Sequence, residues 1–329
     1  MNLTNFRFET DADGIALVTW DMPGRSMNVL NNEIVGELGQ IVDTIASDAA
    51  IKGAVITSGK DGFSGGADLS MLQSAGEEYA RRVKADGKEA AMRAFVEGIR
   101  QYPLTLRRLE TCGKPVAAAI NGVCMGGGFE LALACHYRIV ADSDKARVGL
   151  PEIKVGLFPG GGGTQRVARL MPTPDALQML LKGDQIRPAA AKKMGLVHEV
   201  APGGEIVALA KAWVKTNPNA KAPWDDPKFK LPSGKVYSAQ GMMIWPPANA
   251  IYRRETYDNY PAAKAVLNSV FEGLQLPIDL GLAVESKYFA NILLSKEAAA
   301  MIRSLFLSMG ELNKGARRPI RSSRSPSPG

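Results

Sequence analysis

Three glycine-rich segments place backbone amides where they could bind a negatively charged oxygen. They read FSGGADL at residues 63–69, INGVCMGGGFELALAC at 120–135 and GLPEIKVGLFPGGGGTQR at 149–166. Glycine lets a backbone approach a ligand closely, and the amides in the first turn of a helix have no partner within the helix. Such amides are suited to an oxyanion hole. Each segment alone is equally compatible with a structural turn.

The glycine spacing does not match the common nucleotide-binding motifs. A dinucleotide site would need GxGxxG with an acidic residue about 20 positions later, and a P-loop would need GK followed by Ser or Thr. The chain contains neither pattern. The three segments must therefore be interpreted together rather than one at a time.

The order and separation of the three segments resemble those of the enoyl-CoA hydratase (crotonase) superfamily. The matching patterns are FxGGADL, NGxxxGGGxELALAC and GLPEIKxGLxPGGGGTQR, and the resemblance extends from about Phe8 to Glu199. It includes GLVHEV at residues 195–200, which is similar to a GLVDEV strand of the family. The resemblance implies an α/β fold with a crotonase-like core of repeated ββα units wound in a spiral, followed by a helical C-terminal region.

The resemblance also implies a set of site residues. In hydratases of the family, two glutamates act on one water and on the α and β carbons of the substrate. These glutamates correspond to Glu130, after the second glycine run, and Glu152, in the LPE motif. The two amides that hold the thioester oxygen correspond to Ala67 and Gly127. The spacing between the glutamates is slightly longer than expected, because ADSDKAR at residues 141–147 has extra residues in a turn.

The chemistry of hydration calls for groups of these kinds. Negative charge develops on the thioester oxygen, and each preorganised donor typically stabilises it by about 3–4 kcal/mol. Water loses a proton as it attacks carbon 3, and carbon 2 gains one, so two carboxyls on one side of the substrate can do both. Glu130 is followed by an apolar run, so a surface position would be unusual, and an apolar pocket raises the pKa of a carboxyl.

Four further residues are predicted to contact the substrate. Gly66 and Gly126 flank the two amides, and Asp68 follows the first of them, where it is also suited to capping a turn. Arg25 lies in DMPGRSMN, the loop in which relatives approach the nucleotide end of coenzyme A, which makes a phosphate contact plausible. His136 stands where the family often has Asp, and we expect it to be structural. No cofactor is expected, since coenzyme A is part of the acyl-CoA substrate.

Both glutamates are present, which favours hydration, because isomerases of the family keep only the second. The stretch at residues 281–319 resembles the linker helix of multifunctional fatty-acid oxidation proteins, which leads there into a nicotinamide-binding dehydrogenase domain. No dinucleotide fingerprint follows, so we expect a hydratase part without hydroxyacyl-CoA dehydrogenase activity. An enoyl-CoA isomerase, a specialised acyl-CoA hydratase and an inactive truncated scaffold remain alternatives.

Alternating strand and helix patterns position these segments and favour an α/β fold. Apolar runs predict strands at residues 15–20, 53–57, 115–120 and 137–141, and helical periodicity predicts helices at about 34–45, 129–135, 164–171, 174–181 and 205–216. A helical insertion is predicted at about 73–110, a loop-rich region at 217–247 and one long helix at 281–315. The predicted domains are a catalytic core at 1–200, a helical C-terminal region with the linker helix at 201–316 and a disordered tail at 317–329.

Composition excludes several other classes. Five of the seven net positive charges belong to Lys314, Arg317, Arg318, Arg321 and Arg324, so the body of the chain is nearly neutral and no nucleic-acid partner is expected. No apolar run approaches the roughly 20 residues of a membrane span, and no signal peptide is recognisable, which predicts a cytoplasmic protein. The three cysteines and two histidines lack metal-ligand spacing, so no metal site is expected. The family resemblance makes a homo-oligomer the expected assembly.

Overall fold

The fold is a mixed α/β arrangement built on one main sheet. A computed structural model describes residues 1–313 and Gly315 of the chain. Its strands are β1 (Phe6–Thr10), β2 (Ile15–Trp20), β3 (Gly53–Ser58), β4 (Val116–Ile120), β5 (Val123–Met125), β6 (Tyr137–Ala141), β7 (Arg147–Gly149) and β8 (Glu199–Ala201). The main sheet has the order β1-β2-β3-β4-β6-β8, in which β1 is antiparallel to β2 and every other neighbouring pair is parallel. The predicted α/β class is confirmed.

The helices follow the strands in the rhythm that the sequence predicted. They are α1 (Asn32–Ser47), α2 (Leu69–Asp86), α3 (Lys88–Glu110), α4 (Gly127–Leu133), α5 (Gly163–Leu170), α6 (Thr173–Lys182), α7 (Pro188–Lys193), α8 (Ile206–Thr216), α9 (Ala239–Met242), α10 (Trp245–Thr256), α11 (Pro261–Gly273), α12 (Ile278–Leu293), α13 (Lys296–Met301) and α14 (Met309–Asn313). Short 3₁₀ turns occupy Glu152–Val155 and Pro223–Asp225, and a π-helical stretch occupies Ile302–Ser308. Among the described residues, no helix is both long enough and apolar enough to span a membrane.

Both faces of the main sheet are buried, which explains why its strands are continuous apolar runs. On one face, Val55 of β3 and Ile139 of β6 pack in a cluster with Val214 of α8. On the other face, Ile56 of β3 belongs to the main core, together with Leu38 of α1. Alternate residues of one strand therefore pack into two different hydrophobic clusters.

The predicted insertion consists of two helices. It begins at Leu69, four residues before the expected start, and Gly87 separates α2 from α3. α2 has no buried residue, whereas the C-terminal part of α3 buries Leu106 and Leu109. α2 is thus held against its neighbours by one face only, and that face borders the cavity described below.

The prediction of one long helix at 281–315 is wrong. α12 begins earlier, at Ile278, and ends at Leu293, and α13 starts a new helix after Ser295. The Ser295 hydroxyl oxygen accepts the Ala298 amide at 3.2 Å, which is a helix N-cap. The apolar positions continue across this break, so their periodicity gave no warning of it.

The predicted domain boundaries remain predictions. The boundary at residue 200 lies within β8, and α8, which follows it, packs on β3, β4 and β6 of the main sheet. The loop-rich prediction for 217–247 fits a region that contains only the turn at Pro223–Asp225, α9 and the start of α10. The predicted tail at 317–329 lies outside the described residues.

Candidate active site

The three glycine-rich segments run side by side in the fold. Ser64, in the first segment, forms a parallel bridge with Cys124 of β5. Cys124 in turn pairs with Val148 of β7 in a small parallel sheet. Two residues after Ser64 and two after Cys124, the backbone turns at Gly66 and at Gly126, and Gly126 has a φ of +52°. All three segments therefore run in the same direction, and the residues that follow the paired positions lie close together.

The two predicted oxyanion-hole amides lie at these turns. A Cβ built on Gly66 would be 3.6 Å from the Gly126 Cα, so the two backbones are in contact just before Ala67 and Gly127. Gly127 is the first residue of α4, and no side chain caps that helix. Within the described part of the chain, neither the Ala67 nor the Gly127 amide donates to a protein acceptor, and both residues line the cavity. The structure thus brings together the two donors that the sequence singled out.

Glu130 is buried on α4 and its carboxyl is fixed by a backbone loop. Its Oε1 accepts the amides of Gly161 and Gly163, both at 2.7 Å. Burial raises the pKa of Glu130 from 4.5 to about 7, although the two amides and the nearby Arg166 guanidinium act in the opposite direction. Both bonds go to one oxygen, which leaves Oε2 for a molecule in the cavity.

Glu152 lies across the same cavity in a different environment. Its Oε2 is buried and accepts no hydrogen bond from the described residues. Burial, reinforced by the charge of Glu130 and to a smaller extent by that of Glu285, raises the pKa of Glu152 well above its ordinary value. Gly126 allows this placement, since a Cβ there would lie 3.0 Å from Glu152 Oε1.

The two carboxyls are therefore suited to opposite tasks. Two amides stabilise the ionised form of Glu130, whereas Oε2 of Glu152 has no hydrogen-bond donor among the described residues. Burial with one oxygen unpaired favours the protonated form of Glu152. The arrangement gives one proton acceptor and one proton donor beside two free amides.

The other predicted contacts are less central. Gly66 and Gly126 line the cavity, but Arg25 and Asp68 do not. Asp68 caps α2 through the Ser70 amide, which agrees with the turn-capping role considered for it. The hydrogen bond from the Ser70 side chain, more than the nearby Arg25, lowers the pKa of Asp68. Arg25 is half-exposed and pairs with Asp68 at 3.2 Å, so its phosphate contact stays a prediction.

The cavity has a volume of about 1100 Å³ and extends well beyond the two carboxyls. Apolar side chains form much of its wall, and they come from α2, α3, α12 and the π-helical stretch: Leu72, Phe95, Ile99, Phe289, Leu293 and Phe306. Basic side chains also border it, namely Arg81, Arg82, Arg108 and Lys154. A ligand with an apolar chain and anionic groups would find partners for both parts.

Sequence reasoning missed two polar residues of this site. The Tyr102 hydroxyl donates to the Gly127 carbonyl at 2.5 Å, which helps to fix the first turn of α4. Glu285 of α12 is fully buried and accepts the Gly162 and Thr164 amides. Its signal was present in the sequence, because it lies between Leu282 and Phe289 at helical spacing, an acid within an apolar stripe.

The histidines have backbone partners. His136 Nδ1 accepts the Val116 amide at 3.0 Å, and its Nε2 lies 3.0 Å from the Glu110 carbonyl, as expected for a structural residue. His198 Nδ1 accepts the Arg138 amide. Over residues 1–313, no group of three or more His, Cys, Asp or Glu side chains is arranged to hold a metal ion.

Known proteins resemble this chain over most of its length. The enoyl-CoA hydratase/isomerase family model matches residues 10–223. The fatty acid oxidation complex subunit alpha of Shewanella frigidimarina is 40% identical over 304 residues, which cover 92% of this chain and 40% of that protein. The subunit alpha of Shewanella baltica is 39% identical over 306 residues, covering 92% and 41%. The chain thus spans about two fifths of the length of these relatives.

Solved structures show the same fold. An enoyl-CoA hydratase from Mycobacterium avium subsp. paratuberculosis superposes with a TM-score of 0.62 at 20% identity, covering 93% of this chain and 97% of that one. One from Bacillus anthracis gives a TM-score of 0.56 at 23% identity, covering 94% and 96%. The predicted crotonase-like fold is confirmed. Together with the family match, these findings show that the chain belongs to the enoyl-CoA hydratase/isomerase family.

Proposed function

We propose that this enzyme adds water across the 2,3 double bond of a 2-enoyl-CoA thioester, as a step of fatty-acid β-oxidation. The observation that supports this most directly is the pair of carboxyls in contrasting environments, Glu130 with two amide donors and Glu152 with none on Oε2. Both face one cavity beside the free amides of Ala67 and Gly127. An acid, a base and an oxyanion hole are what hydration of a conjugated thioester requires.

In the proposed mechanism, Glu130 is the base and Glu152 the acid. Water held by the ionised Glu130 loses a proton to it, and its oxygen bonds to carbon 3. Electrons of the double bond move toward the thioester oxygen, where the Ala67 and Gly127 amides stabilise the charge. Carbon 2 takes the proton of Glu152, which completes the 3-hydroxyacyl thioester. A proton then passes from Glu130 back to Glu152 to restore the starting state.

The cavity supports an acyl-CoA as the substrate. The thioester would lie at the two amides, the acyl chain along the apolar wall that includes Phe95 and Phe289, and the anionic end near the basic side chains. The acyl chain length stays open. The predicted cytoplasmic location, the homo-oligomeric state and the lack of a cofactor stay predictions, and so does the lack of dehydrogenase activity.

The test replaces each carboxyl by its amide. Loss of the enoyl-thioester absorbance is followed with crotonyl-CoA and with a medium-chain 2-enoyl-CoA. Glu130→Gln and Glu152→Gln should each lower kcat by about 10²-fold or more, because each removes a proton-transfer group. Glu272→Gln, at an exposed position on α11, is the matched control and should retain parent activity. A folded parent that is inactive on both substrates, or two variants with parental kcat, would falsify the proposal.

A further inference from the structure

The glycine loop that holds Glu130 is shared with a second buried carboxyl. Four successive amides, at residues 161–164, alternate between the two acids. Gly161 and Gly163 donate to Glu130 Oε1, each at 2.7 Å. Gly162 donates to Glu285 Oε1 at 2.5 Å, and Thr164 to Glu285 Oε2 at 2.9 Å. The loop is thus clamped between one acid of the site and one acid of the C-terminal region.

Glu285 has no exposure to solvent and is held by three donors. The third is the Thr164 hydroxyl, which donates to Oε2 at 2.5 Å. Glu285 comes from α12, whereas the loop leads into the first turn of α5, so the contact joins segments more than a hundred residues apart. A buried acid with its oxygens engaged in this way fixes the backbone that it binds, since loss of the bonds would leave buried amides unpaired.

We propose that Glu285 is a positioning residue for hydration, which holds the loop at 160–164 so that its other two amides fix the Glu130 carboxyl toward the substrate. This inference rests on the proposed hydratase function. Gly161 connects the position of the loop to that of the Glu130 carboxyl, because the two are in close contact: a Cβ on Gly161 would lie 2.7 Å from Glu130 Oε2. A shift of the loop therefore moves the catalytic oxygen directly.

Glu130 also affects the ionisation of Glu285. Burial, followed by the charge of Glu130, raises the pKa of Glu285 to about 8. Because Glu285 is still protonated near pH 7, where Glu130 titrates, it adds no charge that raises the pKa of Glu130. The charged and titratable groups packed around this pair are Tyr102 and Glu110 of α3, Glu152 of the 3₁₀ turn, and Arg166 and Arg169 of α5. Arg166 also donates to the Gly161 carbonyl at 3.0 Å, on the other side of the loop.

The test is Glu285→Gln, assayed with crotonyl-CoA from pH 5 to pH 9. Glutamine offers one acceptor and one donor, so it cannot accept both the Gly162 and the Thr164 amides in the same geometry. We expect kcat to fall by about 10-fold or more, because a misplaced catalytic group is costly, with KM changed much less. The acid limb of the kcat profile should move to higher pH, because a displaced loop weakens the Gly161 and Gly163 hydrogen bonds that lower the pKa of Glu130.

Two further variants make the outcome decisive. Ser286→Ala changes the next residue of α12, whose buried hydroxyl donates to the Leu282 carbonyl of the same helix and to no other acceptor among the described residues. It should leave kcat and the pH profile unchanged. Thr164→Val removes the hydroxyl that donates to Glu285 and also bonds the Ser269 hydroxyl and the Gln165 amide, but it keeps both backbone donors to Glu285. It should shift the acid limb in the same direction by less. It provides the test if Glu285→Gln does not fold.

The possible failures can be told apart. An inactive parent refutes the hydratase proposal itself. An active parent with Glu285→Gln at parental kcat and an unmoved acid limb refutes only the positioning role. The same holds if Ser286→Ala lowers kcat as much as Glu285→Gln does, because the loss would then reflect general damage to α12.

Discussion

Two glutamates of one site differ because their hydrogen-bond donors differ. Glu130 Oε1 has two backbone donors, and Glu152 Oε2 is buried without any. The amides lower the free energy of a carboxylate and leave a neutral acid nearly unaffected. Identical side chains are therefore suited to opposite parts in the proposed proton transfer, and the difference lies in the backbone around them.

Gly126 allows a test of how closely that backbone fits. Its φ of +52° is rarely adopted by residues with a side chain, and a Cβ would lie 3.0 Å from Glu152 Oε1. Gly126→Ala should lower the free energy of unfolding by about 1–3 kcal/mol through backbone strain. It should also lower kcat by about 10-fold or more by displacing the acid. Chemical denaturation and the enoyl-CoA assay measure the two effects.

Gly76→Ala is the matched control. Gly76 lies within α2, and a Cβ there would meet nothing within 4 Å. The same substitution should stabilise α2 by up to about 1 kcal/mol and leave kcat unchanged. Equal kcat values for Gly126→Ala and the parent would show that the turn tolerates a side chain and that Glu152 can adjust.

At the residue scale, the sequence was informative where a residue type was unusual in its place. The apolar run after Glu130 predicted that this acid is buried, and the family resemblance of the glycine run predicted Gly127 as an amide donor. The fold brings both to one cavity. The contact of Glu285 with Gly162 could not be predicted in the same way. It depends on how α12 docks on a loop far away in the chain, and a side-chain pattern specifies only that the acid is buried.

At the element scale, the smallest strands matter most to the site. β5 and β7 have three residues each, too few to show a period, and no sequence pattern predicted either strand. Their pairing nevertheless sets the register of the two glutamate segments, with Met125 beside Gly149. Longer elements such as α1 were predictable, because Ile34, Leu38 and Ile45 repeat along one face and are buried.

The break between α12 and α13 leads to an element-scale prediction. Ser295→Ala removes the side chain that accepts the Ala298 amide, a cap worth about 1 kcal/mol. The free energy of unfolding should fall by about that amount, and Tm by roughly 2 °C for a chain of this size. Differential scanning calorimetry measures the change.

Ser304→Ala is its counterpart at an exposed position. The Ser304 hydroxyl bonds the Ala300 carbonyl within a continuous helical stretch, so it caps no helix. Its removal should leave Tm within about 1 °C of the parent, as is usual for exposed positions. If both variants have the same Tm, the helical stretch does not depend on a cap at Ser295.

At the scale of the whole molecule, the cavity lies between parts that are distant in sequence. Its apolar wall combines Phe95 of α3 with Phe289 of α12 and Phe306 of the π-helical stretch. The carboxyls come from the segments after β5 and β7. Sequence patterns predict each wall as an amphipathic element but not their distance from each other, so the cavity and its size became visible only in the structure.

The buried acids also make global stability depend on pH in a specific direction. The pKa values of Glu130 and Glu285 are raised from 4.5 to about 7 and about 8 in the folded state. The folded protein therefore binds more protons than the unfolded chain between these values, and stability falls as pH rises through them. Burial also lowers the pKa of His198 to about 3 and lowers that of His136. Below pH 6.5, the ordinary pKa of histidine, these two residues bind fewer protons in the folded protein than in the unfolded chain, so they have the opposite effect on the pH dependence of stability.

Between pH 6.5 and pH 8, the change in stability with pH therefore reports on the buried acids and not on the histidines. The free energy of unfolding should fall by about 2 kcal/mol across it, since one pKa unit corresponds to about 1.4 kcal/mol. Urea denaturation of the parent and of Glu285→Gln at several pH values measures the slope. The variant lacks the acid whose pKa is raised to about 8, so its stability should fall less over the same range. If the stability of the parent stays constant or increases from pH 6.5 to pH 8, these carboxyls are not protonated in the folded protein. The assignment of Glu130 as the base and Glu152 as the acid of one buried site would then lose its electrostatic support.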